Sequence, residues 1–203
     1  MRRIYLDMDG VTTDWAGGML RLMGIDAERR AEIDVFDGGT GLVATARGIS
    51  HDEADDLIWR TIDGTDGDFW KELEWLPDGQ RILRDCCTLA PTIFLSSPSG
   101  HPSSASGKLR WLAKHHAVIR EAMALCPGAD SRRKPSRVYA LSPAKEEFAH
   151  PGAVLVDDKE SNVSRFIAAG GRAVLWPAPW NASRAVSYAD ALEEIERKVT
   201  ERG

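Results

Sequence analysis

Residues 2–12 read Arg-Arg-Ile-Tyr-Leu-Asp-Met-Asp-Gly-Val-Thr, a short apolar run followed at once by two carboxylates and a glycine. The run predicts a buried strand, and if the extended conformation persists through Asp9, the side chains of Asp7 and Asp9 lie on the same side of the backbone. Like charges that close repel each other unless a cation or a proton lies between them. Gly10 then allows a sharp turn. A magnesium ion, which prefers oxygen ligands, is the occupant that this pattern favours.

The overall composition is that of a globular protein. The chain has 203 residues, 43% hydrophobic and 28% charged, enough for one good core and a smaller accessory module. The net charge of −5 argues against a nucleic-acid-binding surface as the main function, so we expect no stable nucleic-acid complex. Three cysteines without framework spacing indicate reduced thiols. Because no run approaches the roughly 20 apolar residues of a membrane span and no secretory signal precedes the first strand, we expect a cytoplasmic protein without membrane contact.

Five short apolar runs alternate with helical patterns along the chain. The runs lie at 4–6, 92–95, 138–141, 154–156 and 173–176. Continuous apolar runs of this length are typical of strands buried on both faces of a parallel sheet. Helical patterns lie at 79–88, 103–116, 160–169 and 185–199. The alternation predicts an α/β fold, a Rossmann-like doubly wound parallel sheet with right-handed crossovers.

The segment 15–75 does not fit this alternation, because it contains no convincing strand. We expect short helices in it near 15–23, 52–60 and 67–73, separated by glycines. An insertion that begins directly after the acidic pair would lie over the carboxyl ends of the strands, where sites form in open α/β sheets. We therefore predict a catalytic core formed by 1–14 and 76–203, and a small helical cap formed by 15–75.

Polar side chains follow four of the five predicted strands. In chain order they are Asp7 and Asp9, Ser96 and Ser97, Lys145, and Asp157 and Asp158. Phosphoryl transfer requires such a set: a nucleophile, a metal and donors for three equatorial oxygens. An aspartate can form an acyl phosphate, and a second carboxyl can serve as acid and then as base. The sequence therefore predicts an acidic, magnesium-binding phosphoryl-transfer pocket.

The order and spacing of these residues resemble the haloacid dehalogenase (HAD) superfamily. Residues 7–11, Asp-Met-Asp-Gly-Val, resemble its first motif, and residues 93–96, Ile-Phe-Leu-Ser, resemble its second. Lys145 suits the third motif, and residues 154–158, Val-Leu-Val-Asp-Asp, resemble the fourth. The resemblance implies a phosphatase that acts through a phosphoaspartyl intermediate.

The same resemblance implies a role for each acidic residue. Asp7 would be the nucleophile and a magnesium ligand. Asp9 would be the general acid and base, and would also offer its backbone carbonyl to the metal. Asp157 would complete the magnesium site, and Asp158 would support it, more as an orienting group than as a direct ligand.

The phosphate-binding roles implied by the resemblance fall to Ser96, Ser97 and Lys145. Two alternatives stay open. Ser97 could cap a loop rather than contact phosphate, and Lys108, which also follows the second strand, is a rival to Lys145 for the lysine role.

A narrower resemblance is to the 5′(3′)-deoxyribonucleotidase family. It is carried by residues 7–15, by Phe-Trp-Lys-Glu-Leu-Glu at 69–74, by Ser-Ser-Pro at 96–98, by the Lys-x-x-Trp-Leu pattern at 108–112, and by Asp-Asp-Lys at 157–159. It implies a nucleoside monophosphate as the small phosphorylated substrate, Mg²⁺ as the cofactor, and a possible homodimer.

Several positions depart from that family. Ser96 replaces a threonine, and Ser-Pro-Ala-Lys at 142–145 lacks the arginine and aspartate of the family's Thr-Arg-Asp-Lys. Lys159 replaces an arginine, and the loop 126–135 is long and basic. The substrate is therefore less firmly indicated than the reaction.

Three aromatic residues in or near the predicted cap are candidates for the substrate pocket: Trp15, Phe69 and Trp70. Stacking of a nucleobase on an aromatic side chain contributes about 1–3 kcal/mol. The alternative is that they form the core of the small cap.

Other functions remain open at this level. They are a HAD phosphatase for a different metabolite such as a sugar phosphate, a nucleic-acid 3′-phosphatase, a receiver-like signalling module that keeps its phosphoaspartate, and a non-catalytic phosphate-binding relic. The receiver alternative is disfavoured by Asp9, which supplies an acid and base for turnover two residues after the nucleophile.

Overall fold

The computed structural model describes residues 2–26, 29, 32–33, 39–129 and 138–201. Its strands are β1 (Arg3–Leu6), β2 (Thr92–Ser96), β3 (Tyr139–Leu141), β4 (Ala153–Asp157) and β5 (Arg172–Leu175). Its helices are α1 (Trp15–Leu22), α2 (Thr40–Arg47), α3 (His51–Asp63), α4 (Asp68–Lys71), α5 (Gly79–Leu89), α6 (Pro102–Lys114), α7 (His116–Met123), α8 (Glu160–Ala168) and α9 (Tyr188–Thr200). A 3₁₀ helix, Lys145–Phe148, lies between β3 and β4.

The five strands form one parallel sheet in the order β3-β2-β1-β4-β5. The order places β1 at the centre, paired with β2 on one side and β4 on the other. All five predicted strands are present within one or two residues of their expected bounds. The predicted α/β class with a parallel, doubly wound sheet is confirmed.

Both faces of the sheet are buried. Residues alternate between the two faces along each strand, and each face contributes to its own apolar cluster. On β1, Ile4 and Leu6 belong to the larger apolar cluster, which also includes residues of α5, α6 and α9. Tyr5, between them, belongs to a second cluster with Phe166 of α8. Helices on both faces explain why the strands are continuous apolar runs rather than alternating ones.

The helices α1–α4 lie between β1 and β2, in the region predicted to be a cap. The chain leaves the sheet and returns to it side by side: the Asp14 N–H donates to the Glu74 carbonyl at 2.8 Å, and the Leu76 N–H donates to the Thr12 carbonyl at 2.9 Å. The entry and exit of this segment are therefore joined by backbone hydrogen bonds next to the acidic loop. Helix α2 was not among the expected helices.

Helix α4 packs closely against α6, which follows β2. A Cβ atom at Gly107 would lie 2.4 Å from the backbone oxygen of Gly67, so the two backbone segments approach more closely than a side chain would allow. The indole of Trp111 donates to the Leu73 carbonyl at 2.8 Å, and Arg110 pairs with Asp68 at 3.1 Å. These contacts hold α4 and the residues that flank it against α6.

Within the described ranges, no helix is both long and apolar enough to cross a membrane. Most of the basic loop predicted at 126–135, from residue 130 onward, lies outside the described residues.

Candidate functional site

Three of the polar residues predicted at strand ends lie at the ends of three neighbouring strands. Asp7 directly follows β1, Ser96 is the last residue of β2, and Asp157 is the last residue of β4. Because β1 pairs in parallel with both β2 and β4, these three ends lie together at one edge of the sheet.

A tight turn after β1 fixes the first two carboxylates. Gly10 has φ of 76°, and the N–H groups of Thr12 and Thr13 both donate to the Met8 carbonyl at 2.8 Å. Oδ1 of Asp7 accepts the N–H of Met8 at 2.7 Å, and Oδ1 of Asp9 accepts the hydroxyl of Thr13 at 3.2 Å. The turn therefore uses one oxygen of each carboxylate to hold its orientation.

Three carboxylates converge from β1 and β4. Asp7, Asp157 and Asp158 each offer an oxygen within 4.8 Å of the others. Asp7 and Asp157 are buried, with 6% and 0% of their surface exposed, and Asp158 is partly exposed. The Asp9 carboxylate is not part of this cluster. The contact expected between the Asp9 backbone carbonyl and the metal stays a prediction.

Lys145 contacts two members of the cluster. Its ammonium is 2.8 Å from Asp7 and 2.6 Å from Asp157, and the side chain is almost fully buried. Burial alone would lower the pKa of Lys145, but the charges of Asp7 and Asp157 outweigh it and raise the pKa above its ordinary value. Lys145 is therefore a fixed positive charge between the predicted nucleophile and the predicted metal ligand.

The remaining charge balance suits a divalent cation. Three ionised carboxylates and one ammonium leave two negative charges in a buried space. Desolvation, with the charge of Asp7, raises the pKa of Asp157; desolvation, with the charges of Asp157 and Asp7, raises the pKa of Asp158 well above its usual range. A cation among these oxygens would offset the mutual repulsion of the carboxylates, and Mg²⁺ prefers oxygen ligands, so the cluster of Asp7, Asp157 and Asp158 fits such an ion.

Asp157 is also held by the start of α8. The Lys159 N–H donates to its Oδ1 at 2.9 Å, and Nδ2 of the buried Asn162 donates to the same oxygen at 3.0 Å. Asn162 was not identified from the sequence. Its position five residues after Asp157, within the first turn of a helix, is the only signal that could have suggested it.

The structure brings both candidate lysines to the site, in different roles. The buried Lys108 of α6 forms an ion pair with Asp9 and donates to the Ser96 hydroxyl at 2.7 Å. Its ammonium also lies 4.6 Å from the centre of the Trp70 ring. The sequence offers the two lysines as alternatives for one role, whereas in the structure Lys145 contacts Asp7 and Lys108 contacts Asp9.

The two serines differ in their surroundings. Ser96 is 1% exposed and its hydroxyl accepts from Lys108. Ser97 lines the neighbouring cavity, and its hydroxyl donates to the Ser142 carbonyl at 3.1 Å. Ser97 thus combines the loop-capping contact with access to the cavity.

A cavity of about 780 Å³ opens over the acidic cluster. Asp7, Asp9, Lys145 and Asp158 line part of its wall. Four tryptophans line the wall as well: Trp15, Trp59, Trp70 and Trp180. Of the predicted pocket residues, Phe69 does not line the cavity; it is buried, with its ring 5.1 Å from Trp70 and 6.4 Å from Trp15. Trp59 and Trp180 were missed, because neither lies beside a motif.

No family model matches this chain. A search of curated proteins found no match either. Among solved structures, the chain is similar to a HAD family hydrolase from Deinococcus radiodurans R1 with bound phosphate and sodium, with 14% identity, coverage of 100% of this chain and 99% of the other, and a TM-score of 0.47. It is also similar to a phosphonoacetaldehyde hydrolase-like protein from Oleispira antarctica (14% identity, 98% and 84% coverage, TM-score 0.46) and to a putative beta-phosphoglucomutase from Thermotoga maritima (15% identity, 98% and 100% coverage, TM-score 0.45).

Proposed function

We propose that this protein is a HAD-type phosphomonoester hydrolase that forms a phosphoaspartyl intermediate on Asp7. The observation that carries the proposal is the meeting of two sets of groups beside one cavity, whose wall includes Asp7, Asp9, Lys145 and Asp158. One set is the carboxylate cluster of Asp7, Asp157 and Asp158 with Lys145. The other is Asp9 with Lys108 and Ser96.

The chemistry assigned to these residues has two steps. In the first, a carboxylate oxygen of Asp7 forms a bond to phosphorus, the ester P–O bond breaks, and Asp9 gives a proton to the leaving alkoxide. In the second, Asp9 takes a proton from water, the water oxygen bonds to phosphorus, and the bond between Asp7 and phosphorus breaks. Inorganic phosphate and an alcohol are the products.

Positive charge around the phosphoryl group comes from the chain itself and from a bound cation. Lys145 neutralises part of the negative charge that would otherwise repel a phosphate from Asp7. A divalent ion held by Asp7, Asp157 and Asp158 would supply further electrostatic stabilisation of the transferring group. Lys108 supplies a second positive charge, which contacts Asp9 and the Ser96 hydroxyl.

The finer proposal is that the substrate is a nucleoside monophosphate, as in a 5′(3′)-deoxyribonucleotidase. The tryptophans of the cavity wall support it, because a planar base gains about 1–3 kcal/mol from stacking on an aromatic side chain. The rings of Trp15 and Trp59 are 6.1 Å apart and tilted by 39°, on helices α1 and α3. They form one aromatic surface on the side of the inserted helices.

The polar part of the cavity wall favours a second candidate, a sugar phosphate. Asp55 lines the cavity together with the serines at 97, 99 and 161. Carboxylate and hydroxyl groups are suited to hydrogen bonds with sugar hydroxyls. A substrate panel distinguishes the two candidates by rank.

The test is phosphate release from nucleoside monophosphates and sugar phosphates, measured with Mg²⁺ and with excess EDTA. We expect release that requires Mg²⁺, with nucleotides preferred. Asp7→Asn should abolish it, whereas Asp78→Asn, at an exposed position before α5, should not. Robust turnover by Asp7→Asn would exclude the covalent mechanism, and a phosphoaspartate stable for minutes would favour the receiver alternative.

A further inference from the structure

A tryptophan that no motif singled out contacts one carboxylate of the acidic cluster. Trp180 lies in the loop between β5 and α9, and its indole N–H donates a hydrogen bond of 2.6 Å to Oδ2 of Asp158. The same side chain lines the cavity. It therefore connects the carboxylate cluster to the cavity wall.

The loop that carries Trp180 is fixed by its neighbour. Asn181 is 2% exposed, and its Nδ2 donates to the backbone carbonyls of Asp158 and Trp176, each at 2.8 Å. Trp180 thus donates to the side chain of Asp158, and the adjacent Asn181 donates to the main chain of Asp158. The backbone beside Trp180 is therefore linked to the backbone of Asp158 by the side chain of Asn181.

Gly10 lies against both the Asp158 carboxylate and the Trp180 ring. A Cβ atom at Gly10 would lie 2.1 Å from Oδ2 of Asp158 and 2.9 Å from the Trp180 ring. The missing side chain at Gly10 therefore provides the space in which the carboxylate and the indole meet. The turn after β1, the end of β4 and the loop after β5 are packed together at this point.

We propose that Trp180 is a positioning residue that orients the Asp158 carboxylate toward a divalent cation bound by Asp7, Asp157 and Asp158. This inference rests on the proposed function. The indole hydrogen bond fixes the rotation of the carboxylate and leaves its other lone pairs available. Hydrogen-bond partners of this kind orient metal ligands, and their removal typically costs about 10–100-fold in metal affinity.

The test measures Mn²⁺ binding to the substrate-free protein by electron paramagnetic resonance. Trp180→Phe retains an aromatic ring but lacks the N–H donor, so we expect its dissociation constant to rise about 10–100-fold. Trp59→Phe is the matched control for metal binding, because it makes the same chemical change elsewhere in the cavity wall. Its affinity for Mn²⁺ should equal that of the wild type.

Two further variants separate positioning from a general structural role. In an Asp158→Ala background, Trp180→Phe should cause no additional loss of Mn²⁺ affinity, because the group through which Trp180 acts is gone. Trp180→Gln should bind Mn²⁺ more tightly than Trp180→Phe, since the glutamine amide nitrogen is the same number of bonds from Cα as the indole nitrogen. Circular dichroism establishes that each variant is folded, and Trp180→Leu replaces Trp180→Phe as the donor-free variant if the latter does not fold.

Unchanged Mn²⁺ affinity in the donor-free variant, an equal loss with and without Asp158, or no Mn²⁺ binding by the wild type would overturn the inference. These outcomes are independent of turnover. If the wild type hydrolysed no phosphate ester but the variants lost Mn²⁺ as described, the proposed function would fail and the role of Trp180 would stand. If hydrolysis occurred and the affinities were equal, the reverse would hold.

Discussion

Lys108 and Lys145 carry the same charge, yet each is committed to a different aspartate. Lys145 joins Asp7 to Asp157, and Lys108 joins Asp9 to Ser96. In the proposed mechanism this gives the nucleophile and the acid–base group separate counter-charges. A change at either lysine should therefore remove the counter-charge of one aspartate and leave that of the other in place.

We predict that Lys108→Met lowers kcat/KM about 10–100-fold, because a hydrogen bond to a charged group is worth about 1.5–3 kcal/mol. Methionine retains the apolar stem that is buried beside Trp70 but removes the ammonium from Asp9 and Ser96. The measurement is steady-state phosphate release at saturating Mg²⁺. The control is Lys114→Met on the same helix, whose ammonium pairs with Glu72 at the surface. Equal activities of the two variants would contradict the prediction.

How far the site could be predicted from sequence depended on where each residue lies relative to a strand. Asp7, Ser96 and Asp157 end or follow strands, so their convergence follows from parallel pairing. Lys108 lies in the middle of a helix, where a lysine ordinarily points to solvent. Trp180 lies in a loop without periodicity, and only the three-dimensional path of that loop brings it to Asp158.

At the scale of elements, the strands were predictable because each is a continuous apolar run bounded by polar residues. The helices that were missed have weak local signals. Helix α2 begins after Gly39, which has φ of 100° and offers no side-chain cap. Helix α7 follows α6 with only His115 between them, so its residues resemble the frayed end of one longer helix. Tertiary packing, through the buried Val43 and Ile119, stabilises both.

His115, between α6 and α7, should make stability depend on pH. The Trp75 indole donates to its Nδ1 at 3.2 Å, so neutral His115 carries its proton on Nε2, which is buried without a partner among the described residues. Desolvation, with the charge of Lys114, lowers the pKa of His115. A lowered folded-state pKa means that the unfolded chain binds a proton first, so stability is full above about pH 6.5 and falls as the pH drops below it.

We therefore expect the thermal unfolding midpoint to fall between pH 7.5 and pH 5.5 by more in the wild type than in His115→Gln. Glutamine supplies a carbonyl acceptor for the Trp75 indole and does not titrate. His116→Gln, at the adjacent exposed position, is the control and should retain the wild-type dependence. The prediction fails if the two variants show the same change with pH.

At the scale of the whole molecule, the segment of helices α1–α4 is joined to the rest of the chain at two separate places, among others. The chain crosses between them at residues 12–14 and 74–76, where backbone hydrogen bonds join the two crossings. At the second place, α4 packs on α6 where Gly67 and Gly107 approach each other. The predicted division at 14/15 and 75/76 remains a proposal; in the structure, buried residues of α1–α3 share one apolar cluster with residues of β1 and α5.

The acidic cluster should also set a limit on the stability of the metal-free protein. Three carboxylates share a small space with one ammonium, and the raised pKa of Asp158 means that its ionisation at neutral pH opposes folding. A group of this kind stabilises the folded state below its ordinary pKa and loses that contribution as the pH rises. A ligand that binds only the folded state offsets the loss by mass action.

We therefore predict opposite effects of Asp158→Asn with and without Mg²⁺. In EDTA at pH 7.5 the variant should unfold at a higher temperature than the wild type, by about 2–4 °C for each kcal/mol of repulsion relieved. In excess Mg²⁺ the order should reverse, because the wild type gains stability from the bound cation and the variant has lost one of the proposed carboxylate ligands. Differential scanning calorimetry at several Mg²⁺ concentrations measures both effects, with Asp78→Asn as the control for removing an exposed charge. A wild type whose midpoint did not respond to Mg²⁺ would show that these carboxylates do not bind the ion, whatever the activity of the protein.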